Sequence, residues 1–150
     1  MVIIHASQAF VKRFKCEVSL ADQRVAQPGR LDAWSAHVVR VGRSPLVILM
    51  NDASLYSLLV PATGLTAFPD FVRILLARIQ AVWLRSGIQF EPARHPVGVM
   101  RRTNRSLIGS MNDAVQMIKR LHDMSRDGGR PFELGESEQL LNRTPYKAIG

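Results

Sequence analysis

Cysteine is almost missing from this chain: Cys16 stands alone among 150 residues. One thiol closes no internal disulfide, which excludes the stapled secreted mini-domains and points to a reducing compartment. Long apolar runs are missing too. The longest unbroken aliphatic stretch, Leu46–Met50, falls far short of the roughly 18 residues that span a bilayer. The opening Met-Val-Ile-Ile-His has neither a basic leader nor an apolar segment of signal length. A cytoplasmic protein without a membrane span is therefore expected. Aromatic residues are only 7% of the chain, and none lies between Arg94 and Arg105. Stacking of single-stranded bases by that segment is disfavoured accordingly.

The motif search is equally spare. There is no Gly-rich phosphate loop, no Gly-x-Ser-x-Gly elbow and no paired-cysteine spacing. His5, His37, His95 and His122 are far apart, with none four residues from another. No metal site, cofactor or catalytic residue is assigned on this basis. Lys15 and Arg13 could activate the Cys16 thiol by lowering its pKa, but a lone thiol at a helix end more often packs. Glu133, Glu136 and Glu138 read as a solvated acidic face.

What is present is ordinary globular material with an unusual charge. Hydrophobic residues are 47% and charged residues 21% of the chain, which excludes disorder. The length suits one domain over residues 1–150. The net charge is +8, and between Phe71 and Asn112 seven arginines oppose Glu91 alone. That clustering carries more weight than the total.

Val2–His5 reads as a strand, followed by Ser7 as a cap and a short amphipathic helix through Phe10, Val11 and Phe14. Ala21–Arg30, with Pro28-Gly29, reads as loop. Alternation at Trp34, Ala36 and Val38 predicts a strand to Val41, and Gly42-Arg43-Ser44-Pro45 a turn. Leu46–Met50 and Leu55–Val60 then complete a three-strand meander. Phe68-Pro69-Asp70 opens a long helix that ends near Gly87. Residues 88–98, with Pro92 and Pro96, read as irregular or edge strand, and Val97–Met100 as a short strand. A second long helix begins near Ser106, with Leu107, Ile108, Met111, Val115, Ile118 and Leu121 as its apolar stripe. The tail after Asp127 reads as partly irregular. The expected architecture is α+β: a mostly antiparallel sheet, built from the meander plus one or two further strands. Two long helices and one short one pack on one of its faces.

The segment richest in chemistry is Met100–Asp113. Arg101, Arg102 and Arg105 flank the start of a helix, where free N–H groups and the helix dipole favour an anion. Thr103, Asn104 and Ser106 add short polar groups. The plainer alternative is that Asn104 or Ser106 is simply the N-cap, with the arginines solvated or paired with Asp113 and the acidic tail. Gly109 within the helix costs about 1 kcal/mol against Ala, which a close approach by a backbone or ligand would offset.

The block Asn104-Arg105-Ser106-Leu107-Ile108-Gly109-Ser110-Met111-Asn112-Asp113 resembles the signature of an uncharacterised bacterial domain family, related to domains found beside plasmid Orf-3-like modules. Val2-Ile3-Ile4-His5, Trp34-Ser35-Ala36-His37, Leu46–Asn51 and Leu141-Asn142-Arg143-Thr144-Pro145 fall at matching places, so the similarity spans nearly the whole chain. The resemblance implies a bacterial, single-domain protein with a plasmid or mobile-element association. It implies no activity and transfers no catalytic residue.

Three functional readings follow. The leading one is a basic module that binds a polyanion such as nucleic acid through Arg101, Arg102, Asn104, Arg105 and Ser106. The second is an interaction module, meeting an acidic protein or a second copy of itself, with methionines around the last helix (Met111, Met117 and Met124) as adaptable surface, although Met111 reads better as core. The third is a small enzyme on an anionic substrate, with His37 or Asp113 as acid or base.

Overall fold

Val2-Ile3-Ile4 sends apolar side chains in both directions, the pattern of a strand covered on both faces. The computed structural model, which describes residues 2–18, 32–89 and 97–143, places this segment inside a five-stranded sheet. The strands are β1 (Val2–Ala6), β2 (Ala33–Val41), β3 (Ser44–Asn51), β4 (Ser57–Pro61) and β5 (Val97–Arg101). Their order is β4-β3-β2-β1-β5. The helices are α1 (Gln8–Phe14), α2 (Phe68–Arg85), α3 (Arg105–Asp127) and α4 (Leu134–Arg143).

β2, β3 and β4 run antiparallel. Gly42-Arg43 makes the first hairpin, with Gly42 at φ 63° where a two-residue loop needs a positive angle. His122 Nε2 lies 2.9 Å from where a Cβ on Gly42 would sit, so a larger residue would strain the backbone and also displace the His122 ring. β1 pairs in parallel with β2 on one side and with β5 on the other.

The mostly antiparallel sheet expected from the sequence is thus incorrect: the sheet is mixed, with two parallel pairs. Parallel neighbours need a long crossover. The chain from Ser7 to Asp32 serves between β1 and β2, and the chain carrying α2 leads from β4 to β5.

The helices also cover both faces rather than one. Val2, Ile4, Trp34, Leu49 and Val60 face Phe10 and Phe14 of α1 and Phe71, Leu75 and Ile79 of α2. The rings of Phe10 and Phe71 meet edge-on at 5.1 Å. On the other face Leu46, Ile48, Met50 and Leu59 lie under Met111, Ala114, Val115 and Ile118 of α3 and Leu141 of α4.

The fourth helix corrects the expected irregular tail. α4 has few apolar positions: Leu141 is buried in the core, and Glu138 and Asn142 bond the backbone at the outer edge of β4. Glu138 also accepts from Arg78 of α2 at 2.6 Å, so it is not part of a solvated acidic face. The last strand of the meander starts at Ser57 rather than Leu55. Leu55 has φ 60° in a turn closed by Asn51, whose Oδ1 accepts from the backbone of Ala53 and Ser54. The loop expected at Ala21–Arg30, and the prolines Pro92 and Pro96, lie outside the described residues.

Candidate functional site

β1 and β5 are adjacent parallel strands, yet the chain leaves them toward opposite faces: to α1 after Ala6 and to α3 after Arg101. Such a divergence beyond the carboxyl ends of parallel strands opens a crevice where ligands commonly bind. A cleft of about 400 Å³ is found beside it, lined by His5, Ala33, Ser35, Asp52, Arg102, Thr103, Asn104 and Leu107. That size is within the range of small-ligand sites.

Sheet register places the polar group. His5 of β1 lies directly opposite Ser35 of β2. The Asn51 turn brings Asp52 beside them, and Asp52 N–H donates to the Ala33 carbonyl at 2.9 Å. The carboxylate of Asp52 then engages both neighbours: Oδ2 with His5 Nδ1 at 2.6 Å and Oδ1 with the Ser35 hydroxyl at 2.7 Å. An ionised carboxylate only accepts, so His5 Nδ1 carries the proton in this bond and Ser35 donates its own.

Arg102 enters from the segment between β5 and α3, anchored by its N–H to the Ala6 carbonyl at 3.3 Å. Its guanidinium is half-buried, and burial pulls its pKa below the ordinary value. Its Nη1 is buried with no hydrogen-bond partner among the described residues. A buried donor without a partner costs about 1–3 kcal/mol, more when charged. Arg102 also lines the cleft, and its fixed positive charge favours an anion there.

His37, two residues along β2 from Ser35, bonds Ser7 Oγ through Nδ1 at 2.7 Å. Ser7 Oγ also caps α1 by accepting Phe10 N–H at 3.2 Å. Burial, then the charges of Arg102 and Lys119, push the His37 pKa down.

The residues expected at the anion site divide here. Arg102 and Asn104 line the cleft. Asn104 is also the α3 cap, its Oδ1 accepting Leu107 N–H at 3.1 Å. Arg101, Arg105 and Ser106 are exposed and do not line it. Asp113 is exposed. A Cβ on Gly109 would meet open space, so no close neighbour accounts for that glycine. Burial pushes the Cys16 thiol up, against activation by Lys15 and Arg13.

His5, Ser35 and Asp52 were missed by sequence reasoning. The signal was a polar residue inside each buried apolar strand, His5 after Val2-Ile3-Ile4 and Ser35 after Trp34, since buried polar groups need partners. Among the described residues no set of three or more His, Cys, Asp or Glu side chains is placed to hold a metal. No helix among them is long and apolar enough to cross a membrane.

Fold and cleft together define a three-layer α+β domain with a polar, ligand-sized crevice on its α3 side. The family model described as Domain of unknown function (DUF6933) matches residues 3–150, and the chain belongs to that family. No curated protein and no solved structure matches the chain.

Proposed function

We propose that the cleft binds a compact anion, a carboxylate or a phosphate, on the guanidinium of Arg102. The observation that carries this reading is Arg102, a cation with no ion-pair partner among the described residues, lining a cavity of small-molecule size. Asn104 and Thr103 border the same space, and the first turn of α3 adds a favourable dipole. Among the described residues Arg102 makes no ion pair with Asp52, whose oxygens bond His5 and Ser35.

Calorimetric titration with inorganic phosphate and with acetate tests the reading. Arg102→Gln should weaken binding by about 1.5–3 kcal/mol, the worth of a charged hydrogen bond. Equal binding by the wild type and the variant would remove the site.

A second reading, binding of nucleic acid, is supported by Arg101 and Arg105, which are exposed on either side of Arg102 in sequence. It requires affinity for duplex or single strands that declines with salt. A mobility-shift titration across salt separates it from the first, since a compact-anion cleft gains nothing from a polymer. An acidic protein partner for the same arginines would appear instead as co-purification. The unpaired Cys16 suits a reducing, cytoplasmic setting; a bacterial, plasmid-associated one rests on the resemblance alone.

A further inference from the structure

We infer that the same cleft is an acid–base site, in which His5 Nε2 takes a proton from the ligand held on Arg102 and returns it. The inference rests on the anion reading above and adds a reaction to it.

Three observations support this assignment. First, Asp52 orients the ring. Its Oδ2 holds His5 Nδ1 at 2.6 Å, which leaves Nε2 as the acceptor in the neutral imidazole. Second, the ring is reachable: the His5 side chain is 28% exposed and lines the same cavity as Arg102. Third, the geometry argues against nucleophilic chemistry. Ser35 is the hydroxyl beside the pair, but it donates to Asp52 Oδ1 at 2.7 Å rather than to the imidazole. In a serine-nucleophile arrangement the imidazole stands between hydroxyl and carboxylate; here the carboxylate stands between the other two. Ser35 and Asp52 are therefore positioning residues, and His5 is the catalytic one.

The substrate this chemistry calls for is a small carboxylate or phosphate ester with an acidic C–H next to a carbonyl, whose proton an imidazole can take. The C–H bond breaks, its electron pair stays on the ligand as an enolate, and the proton moves to His5 Nε2. The imidazolium so formed lies against the Asp52 carboxylate. Arg102 holds the ligand's anionic group throughout. Return of a proton from His5 Nε2 to the same carbon closes the cycle, so the net reaction is exchange of that hydrogen with water, or racemisation where the carbon is stereogenic. No oxidant, reductant or second substrate is needed.

The test has two arms on the full chain. Nitrogen-15 NMR of the neutral His5 ring should show Nδ1 protonated and Nε2 bare, with Nε2 shifting when inorganic phosphate is added. Asp52→Asn should move the ring toward the opposite tautomer. Deuterium exchange into pyruvate and dihydroxyacetone phosphate in heavy water should then exceed that of an equal concentration of imidazole. His5→Gln should lower its maximal rate by about a hundredfold or more, the usual worth of a general base, and Arg102→Gln should chiefly raise KM. A proton on Nε2, or exchange no faster than imidazole while phosphate binds, overturns the acid–base inference and leaves the anion site standing. Failure to bind phosphate removes the underlying reading instead.

Discussion

Asn142 pairs with Ser57 much as a neighbouring strand would. Its Oδ1 accepts Ser57 N–H at 2.7 Å, and its Nδ2 donates to the Ser57 carbonyl at 3.0 Å. One turn earlier on α4, Glu138 accepts Leu59 N–H at 2.9 Å while pairing with Arg78. Arg78 in turn donates to the Leu59 carbonyl at 3.1 Å. Side chains of two helices thus satisfy the outer edge of β4, which would otherwise invite another strand.

Asn142→Ala should cost about 1–3 kcal/mol, because it leaves Ser57 N–H without its acceptor in a part-buried place. Urea unfolding measures that loss. Sedimentation velocity should also reveal concentration-dependent association through the uncovered edge. A variant as stable and as monodisperse as the wild type would show that Asn142 contributes nothing to edge protection.

His37 gives the fold a pH dependence of definite sign. Burial, then Arg102 and Lys119, lower its pKa below the ordinary 6.5. Between the lowered value and 6.5 the unfolded chain binds a proton that the folded chain refuses, so stability falls as pH falls through that window. Above it the term is fully present. Denaturant melts at stepped pH should show this decline, and His37→Gln should flatten it.

Core and surface on α3 should separate cleanly. Met111 is fully buried, so Met111→Ala should cost about 2–5 kcal/mol. Arg101 and Arg105 are exposed, and their conversion to Gln should change stability by no more than about 0.5 kcal/mol each. Thermal melts compare the three directly.

Much of the fold was readable wherever one residue's surroundings determine its neighbour's. Alternation at Trp34 and Ala36, and Gly42 at the hairpin, located β2 and β3. Helical spacing at Phe71, Ile74, Leu75, Ile79, Val82 and Trp83 marked the buried face of α2, which Gly87 ends at φ 75°; Ile74 at its margin is exposed instead. What escaped depends on partners distant in sequence. The parallel pairing of Ile4 with Trp34 and with Val99 leaves no local trace, because a short strand buried on both faces shows no alternation. α4 escaped because only Ser137 and Leu141 of its residues are buried, and the contacts of Glu138 and Asn142 reach β4, far away in sequence. The site was half legible. Arg102 and Asn104 belong to a conspicuous basic stretch, whereas His5, Ser35 and Asp52 meet only through sheet register and the Asn51 turn.

The anion site is tested most directly by following backbone amides in a phosphate titration, with wild type and Arg102→Gln side by side. Shifts in the wild type should concentrate at Arg102, Thr103, Asn104, Leu107, His5, Ser35 and Asp52, saturate together, and vanish in the variant while its spectrum stays folded. Shifts scattered over exposed arginines such as Arg73, Arg85 and Arg120, or a cleft response that survives the loss of Arg102, would contradict it.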